Sequence, residues 1–180
     1  MFPASETGAA RPVRSSQTGR RWLAIAVLAG MLAGSSALAA WRDQHGLVIN
    51  TTDSLPHWAF WIDRAREPQR GDFVVFKAPG SPLVTAHFGE APPPFAKRVL
   101  GMPGDLVARR GETVLVNGEV VARLKPRTRR GETLAPGPTG RIPARCYYLG
   151  TRHPDGFDSR YAAIGFVCRS SIVGAGDALL

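Results

Sequence analysis

The run Phe95-Ala96-Lys97-Arg98-Val99-Leu100-Gly101-Met102-Pro103-Gly104-Asp105 reads as a strand that stops at a Pro-Gly turn and holds a lysine among apolar neighbours. Lysine is rarely buried without a reason. The plainer reading is a strand lysine whose stem runs to an edge and leaves its amine in water, beside Arg98. Earlier in the chain, Asn50-Thr51-Thr52-Asp53-Ser54-Leu55-Pro56 sets a serine just ahead of a proline. Proline fixes φ and removes a backbone donor, so the serine sits in a turn outside any strand ladder. A serine hydroxyl is a poor nucleophile until a base takes its proton. A lysine supplies that base only where burial depresses its pKa. Each residue alone has a structural explanation; together they make a candidate Ser-Lys dyad.

The texture on either side is β. Leu47-Val48-Ile49, Trp58-Ala59-Phe60-Trp61-Ile62, Phe73 to Lys77, Leu106 to Arg109, Thr113 to Val116, Val120 to Arg123, Tyr147 to Leu149, Ile164 to Val167 and Ser171 to Gly174 are short apolar runs broken by turn residues. Asn117-Gly118 is a hairpin signal, because both residues tolerate positive φ. Ala78 to Pro94 reads as an irregular loop, and Pro126 to Pro143 as a long Gly/Pro/Arg loop. Many short strands at even spacing predict a mainly β domain, a sandwich or folded barrel, with no helix after the N-terminal segment.

That segment, Trp22 to Trp41, carries no charge. About twenty apolar residues cross a bilayer as a helix. Tryptophans bracket it at the depth where interfacial aromatics sit, and Arg11, Arg14, Arg20 and Arg21 precede it. The expected organisation is a basic cytoplasmic tail over 1–21, a transmembrane anchor over 22–41 and a periplasmic domain over 42–180. A cleaved signal peptide is the competing reading, since Ala37-Leu38-Ala39 resembles a cleavage site. Either way the remainder is exported.

The net charge is +9, and 19 basic residues face 13 acidic ones from Arg42 onward. Apart from Arg123 to Arg130 the basic residues are dispersed. That cluster reads as a solvated loop, and nucleic acid is not an expected partner. Cys146 and Cys168 lack zinc-ligand or CxxC spacing. Outside the cytoplasm they can form a cross-strand disulfide; two buried thiols are the alternative. His45, His87 and His153 show no metal spacing, and no cofactor is expected.

Thr52-x-Ser54-Leu55-Pro56, Gly71-Asp72, the Lys97-to-Asp105 block, Val116-Asn117-Gly118 and Asp158-Ser159-Arg160-Tyr161 follow one another in an order that resembles the type I signal peptidase family (S26). The likeness runs from about Asn50 to Val173. The short Ser-Leu-Pro form and the compact chain with one anchor most resemble its conjugative-transfer branch, the TraF peptidases that mature a pilin.

The resemblance implies a membrane-bound serine endopeptidase at the bacterial inner membrane, acting on a membrane-tethered precursor. Ser54 would be the nucleophile and Lys97 the neutral general base. The Ser54 backbone N–H and the Thr52 hydroxyl would form the oxyanion hole. Arg98 would pair with Asp158 to brace the site, joined by Ser159, Arg160 and Tyr161. Strands flanking Ser54 and Lys97 can pair with an extended substrate, which makes Asn50, Leu55, Phe95 and Ala96 candidate subsite residues; the resemblance implies pockets that prefer small side chains. Two departures stand out. Gly156 occupies a position where the family often has a serine that holds the lysine, which leaves backbone, water or Ser159 to do so. His57-Trp58-Ala59 stands where the pilin-processing branch commonly has a glycine.

A general type I signal peptidase would use the same residues on other substrates. LexA-like repressors share the dyad but carry a cytosolic DNA-binding domain where this chain has an apolar segment. A non-enzymatic anchored assembly factor for a pilus or transfer channel would need neither Ser54 nor Lys97. Trp58, Phe60 and Trp61 either dip into the membrane interface or fill the β core.

Overall fold

The computed structural model describes residues 16–50 and 55–179. Thr52 and Ser54, and residues 1–15 of the tail expected over 1–21, lie outside the described residues. The chain divides into two compact units, Met1–Asp43 and Gln44–Leu180.

The described part of the first unit belongs to helix α1 (Ser16–Gln44), which runs past the expected 22–41 at both ends. Its 29 residues extend about 43 Å at the α-helical rise, against a hydrocarbon core of about 30 Å. Arg20, Arg21, Arg42 and Asp43 on its terminal turns therefore have length to reach beyond the apolar layer. Gly19–Gln44 is long and apolar enough to cross a membrane.

The second unit is built from two antiparallel sheets. Its strands are β1 (His45–Ile49), β2 (Ala59–Asp63), β3 (Phe73–Phe76), β4 (Phe95–Gly101), β5 (Leu106–Arg110), β6 (Thr113–Val116), β7 (Glu119–Arg123), β8 (Gly140–Arg141), β9 (Cys146–Gly150), β10 (Val167–Cys168) and β11 (Ile172–Leu179). The larger sheet has the order β1-β2-β11-β3-β4-β9-β10 and the smaller one β7-β6-β5-β8. One face of the larger sheet packs Val74, Phe76, Val99 and Leu149 into a core with Val84, Ile164 and Ile172. Its other face packs Leu55, Phe60, Ile62 and Val75. The smaller sheet buries Val107, Val114 and Val116 against Ile142, Tyr148 and Tyr161.

Two turns register this architecture. Asn117 (φ 51°) and Gly118 (φ 86°) join β6 to β7 with the paired positive φ that a two-residue hairpin requires. At the close of β4, the Asp105 carboxylate accepts from Met102 N (2.6 Å), Arg70 Nη2 (2.5 Å) and Asn117 Nδ2 (2.7 Å). These bonds outweigh its partial burial and hold its pKa below the usual carboxylate range. The Pro-Gly-Asp block thus ties the end of β4 to the β6–β7 hairpin.

Three expectations are corrected. Ala78 to Pro94 contains a helix, α2 (Pro82–Phe88), whose first turn is capped by Ser81 Oγ accepting from Val84 N (3.3 Å). Pro126 to Pro143 is not all loop: β8 lies within it, and Arg127 and Thr133 form an isolated bridge. Of Ile164 to Val167, only Val167 is in a strand. Cys146 and Cys168 sit opposite each other on β9 and β10 and are disulfide-bonded.

Candidate active site

The alternation of β4 decides the fate of Lys97. The strand is buried at Lys97, Val99 and Gly101 and exposed at Arg98. Side chains two apart on a strand share a face. Lys97 therefore points with Val99 towards the core side of the sheet, beside its cross-strand partner Val74. It retains 6% of its exposure. Burial is the largest influence on its amine and pushes the pKa down; Asp158 pulls it up and the positive Arg160 pushes it further down. A lysine with a lowered pKa has a neutral, basic fraction at lower pH than an exposed one.

Asp158 and Arg160, which act on Lys97, form a sealed pair. Arg160 Nε donates to Asp158 Oδ1 (2.8 Å) and Nη2 to Oδ2 (2.9 Å). Arg160 also donates to the carbonyls of Thr151 (2.6 Å), Arg123 (3.2 Å) and His153 (3.3 Å). Thr151 N donates to Asp158 Oδ2 (3.0 Å). The pair therefore joins β7 to the segment following β9, with most polar atoms satisfied.

The expected Arg98–Asp158 pair does not form. Strand alternation turns Arg98 to the surface, where its Nε donates to Gly71 O (2.9 Å) and its guanidinium lies 5.6 Å from the centre of the Phe73 ring. Arg160 takes the place expected for Arg98. Ser159 is buried, and its Oγ accepts from Leu149 N (3.0 Å), tying the Asp158 segment to β9. The Tyr161 hydroxyl accepts from Lys125 N (3.1 Å). Gly156 has a steric reason to be glycine. A Cβ there would lie 2.3 Å from Thr151 Cγ2, 2.8 Å from Arg160 Nη2 and 2.9 Å from Asp158 Oδ2. The Arg160 guanidinium and the Thr151 methyl fill the space a serine side chain would need.

The remaining expected residues divide between the two faces of β4. Ala96 packs with the cluster that holds Leu55. Phe95 packs on the opposite face, edge-on to Phe76 (6.0 Å) and to Phe88 of α2 (4.9 Å). Asn50 has a role that its sequence position did not reveal. Its Nδ2 donates to the carbonyls of Leu55 (3.1 Å) and His57 (2.8 Å), and its backbone N to Trp58 O (2.7 Å). Asn50 thus clasps the two ends of the segment that contains Thr52 and Ser54.

Two open clefts flank the Asp158 segment and meet at His153. The larger, about 1070 Å³, is bordered by Leu55, Pro56, Arg98, Thr151 and Arg160. The smaller, about 600 Å³, lies between α2 and the Lys125–Leu134 segment. Phe60 is fully buried, whereas Trp58, Trp61, Leu47 and Ile49 are exposed. Among the described residues no group of His, Cys, Asp and Glu could hold a metal ion.

A sequence profile of the family described as signal peptidase, peptidase S26, matches residues 19–180. The chain belongs to the peptidase S26 signal peptidase family. A Synechocystis sp. protein named "Probable signal peptidase I-2" is 34% identical over 117 residues, 62% of this chain. Signal peptidase I T of Bacillus subtilis is 26% identical over 152 residues, 80% of this chain and 68% of its own. This S26 chain spans 47% of the length of the Synechocystis protein. A crystal structure of a signal peptidase I from Enterococcus faecalis V583 is 25% identical, with a TM-score of 0.38, and covers 64% of this chain and 98% of its own.

Proposed function

We propose that this S26 chain is a membrane-anchored serine endopeptidase that removes leader peptides from exported precursors, with Ser54 as nucleophile and Lys97 as general base. The observation that carries the reading is the buried Lys97, whose amine is held below its ordinary pKa in a chain of a peptidase family.

The Ser54 hydroxyl proton passes to the neutral Lys97 amine while Oγ attacks the scissile carbonyl carbon. The negative charge that develops on the carbonyl oxygen is held by the Ser54 backbone N–H and the Thr52 hydroxyl. Such a donor acts on charge present only in the transition state, and removing one typically costs about a hundredfold or more in rate. As the C–N bond breaks, the Lys97 ammonium returns the proton to the leaving amine. Water, or the substrate's own amine, then resolves the acyl-enzyme; the second course gives a cyclic product.

Three features support an exported, membrane-facing domain. The basic tail precedes the apolar helix, which orients the N-terminus to the cytoplasm by the positive-inside rule. The Cys146–Cys168 disulfide fits an oxidising compartment such as the periplasm. Trp58 and Trp61 are exposed close to the end of the Ser54 segment. The domain boundaries we adopt are 1–21, 22–41 and 42–180.

A conjugative prepilin is the proposed substrate, on the strength of the Ser-Leu-Pro form. The relatives are themselves named signal peptidases, which favours a second reading, general signal peptidase activity. Cleavage of a prepilin and of a general secretory precursor by membranes containing the full chain decides between them. Ser54→Ala and Lys97→Ala should each abolish processing while the chain stays inserted. Processing that survives both substitutions overturns the dyad, and the product mass separates hydrolysis from cyclisation.

A further inference from the structure

The cleft beside α2 joins two features that the proposed chemistry leaves unused. Its floor is aromatic: Phe88 stacks on Phe157 (6.2 Å) and Phe157 on Tyr161 (6.1 Å). Its rim carries three cations, Lys125, Arg127 and Arg129, against Asp155, while Glu132 at its edge is held by His87 (3.1 Å) and Thr128. Asp155 is engaged by both Lys125 and Arg129. Arg127 is exposed, donates through Nη1 to Gly131 O (2.8 Å), and has no carboxylate partner among the described residues. It therefore keeps an unneutralised charge and further donors at the mouth of an aromatic pocket.

The walls of the same cleft adjoin elements of the candidate active site. Gly156 and Phe157 in its wall immediately precede Asp158. Phe88 packs on Phe95, two residues before Lys97 on β4. The cleft thus borders the strand that carries Lys97 and the segment that carries Asp158.

We propose that the cleft between α2 and the Lys125–Leu134 segment is a specificity subsite for a carboxylate of the cleaved polypeptide, read by Arg127. The aromatic floor takes the apolar stem, and the guanidinium takes the carboxylate in a charge-assisted pair. An anionic lipid headgroup would suit the charge as well. The direct continuity of the aromatic floor with β4 and the Asp158 segment favours a peptide. This assignment rests on the peptidase reading above.

The test uses the full chain in neutral detergent and a peptide series with alanine one and three residues before the cleaved bond. Glu, Gln or Lys is placed in turn at each of three positions on either side. Each peptide is made with a free and an amidated C-terminus. At one position Glu should raise kcat/KM about tenfold over Gln, the scale of a hydrogen bond to a charged group. The Glu/Gln ratio should fall towards one in Arg127→Ser and be largely restored in Arg127→Lys. It should be unchanged in Arg110→Ser, which removes an equal charge from an exposed site on β5. A difference between free and amidated peptides, with a flat Glu scan, assigns the carboxylate to the chain end.

Fluorescence anisotropy of the same labelled peptides reads the cleft without catalysis. If no peptide is cleaved but the Glu peptide binds more tightly through Arg127, the peptidase reading fails and the subsite stands. Equal cleavage and binding of Glu, Gln and Lys peptides overturns the subsite. So does a Glu preference that survives Arg127→Ser, or Arg127-dependent binding confined to phosphatidylglycerol vesicles.

Discussion

The Arg160 guanidinium meets both oxygens of the Asp158 carboxylate, at 2.8 and 2.9 Å, with the two side chains 1% and 0% exposed. Removing one member of such a pair leaves an uncompensated buried charge. Arg160→Met should therefore cost about 3–5 kcal/mol of stability, read from denaturant melts of the full chain. Asp158→Leu combined with Arg160→Met should cost less than the two separate losses added together, because neither charge is then stranded. Additive losses would show that the residues act independently.

Lys97 gives up its proton at lower pH than an exposed lysine. Its folded pKa is lowered, so between the folded and unfolded values the unfolded chain binds more protons and stability rises with pH. If Lys97 is the base, peptide cleavage should also rise with pH, along a limb placed below the ordinary lysine value. Lys97→Met should abolish cleavage yet match or exceed the unaltered chain in stability at pH 7, the difference shrinking as pH rises. Arg160→Met removes a charge that lowers this pKa, so the limb should move to higher pH wherever activity survives. A limb that stays in place would detach Lys97 from the profile.

Asn50, which precedes the segment that carries Ser54, donates two side-chain hydrogen bonds to carbonyls that follow it, those of Leu55 and His57. Asn50→Asp sets a carboxylate against the Leu55 and His57 carbonyls, and should be worse than Asn50→Ala. For Asn50→Ala a loss of about 1–3 kcal/mol is expected from thermal melts, with kcat falling more than KM changes in peptide assays. A variant with unaltered kcat would confine Asn50 to support of the fold.

The Cys146–Cys168 disulfide closes a segment with a sequence separation of 22. A loop of that size stabilises by about 3 kcal/mol. Cys146→Ser with Cys168→Ser, or reduction of the unaltered chain, should lower the melting midpoint accordingly. Equal midpoints with and without reductant would show that the bridge does not contribute.

Strand positions were legible because β4, β6 and β9 carry apolar residues between clear turn signals. The hairpin was legible because Asn117-Gly118 has one common use. α2 was hidden by the seven proline and glycine residues of Ala78 to Pro94; its Ser81-Pro82 cap and first-turn proline were the available signal. The partner of Asp158 was misread because the resemblance implied Arg98, whereas strand alternation sends Lys97 and Arg98 to opposite faces and leaves Arg160 to make the pair. The crowding at Gly156 could not be read at all, since it arises from Thr151 and Arg160 converging on one point. The placement of Thr52 and Ser54 lies outside the described residues.

The position of β11 sets the order in which the larger sheet can be completed. β2 and β3 are not ladder neighbours; Ile172–Leu179 lies between them and pairs with both. A chain emerging N-terminus first can form the β1–β2 hairpin and the β3–β4 pair early. Those two pieces share no hydrogen-bonded edge until residues about a hundred positions later arrive. Contacts of such sequence separation form late and slowly, and unpaired strand edges invite wrong partners meanwhile. The sheet that holds Lys97 on β4 is therefore completed only once Ile172–Leu179 joins it, after both earlier pieces can have formed.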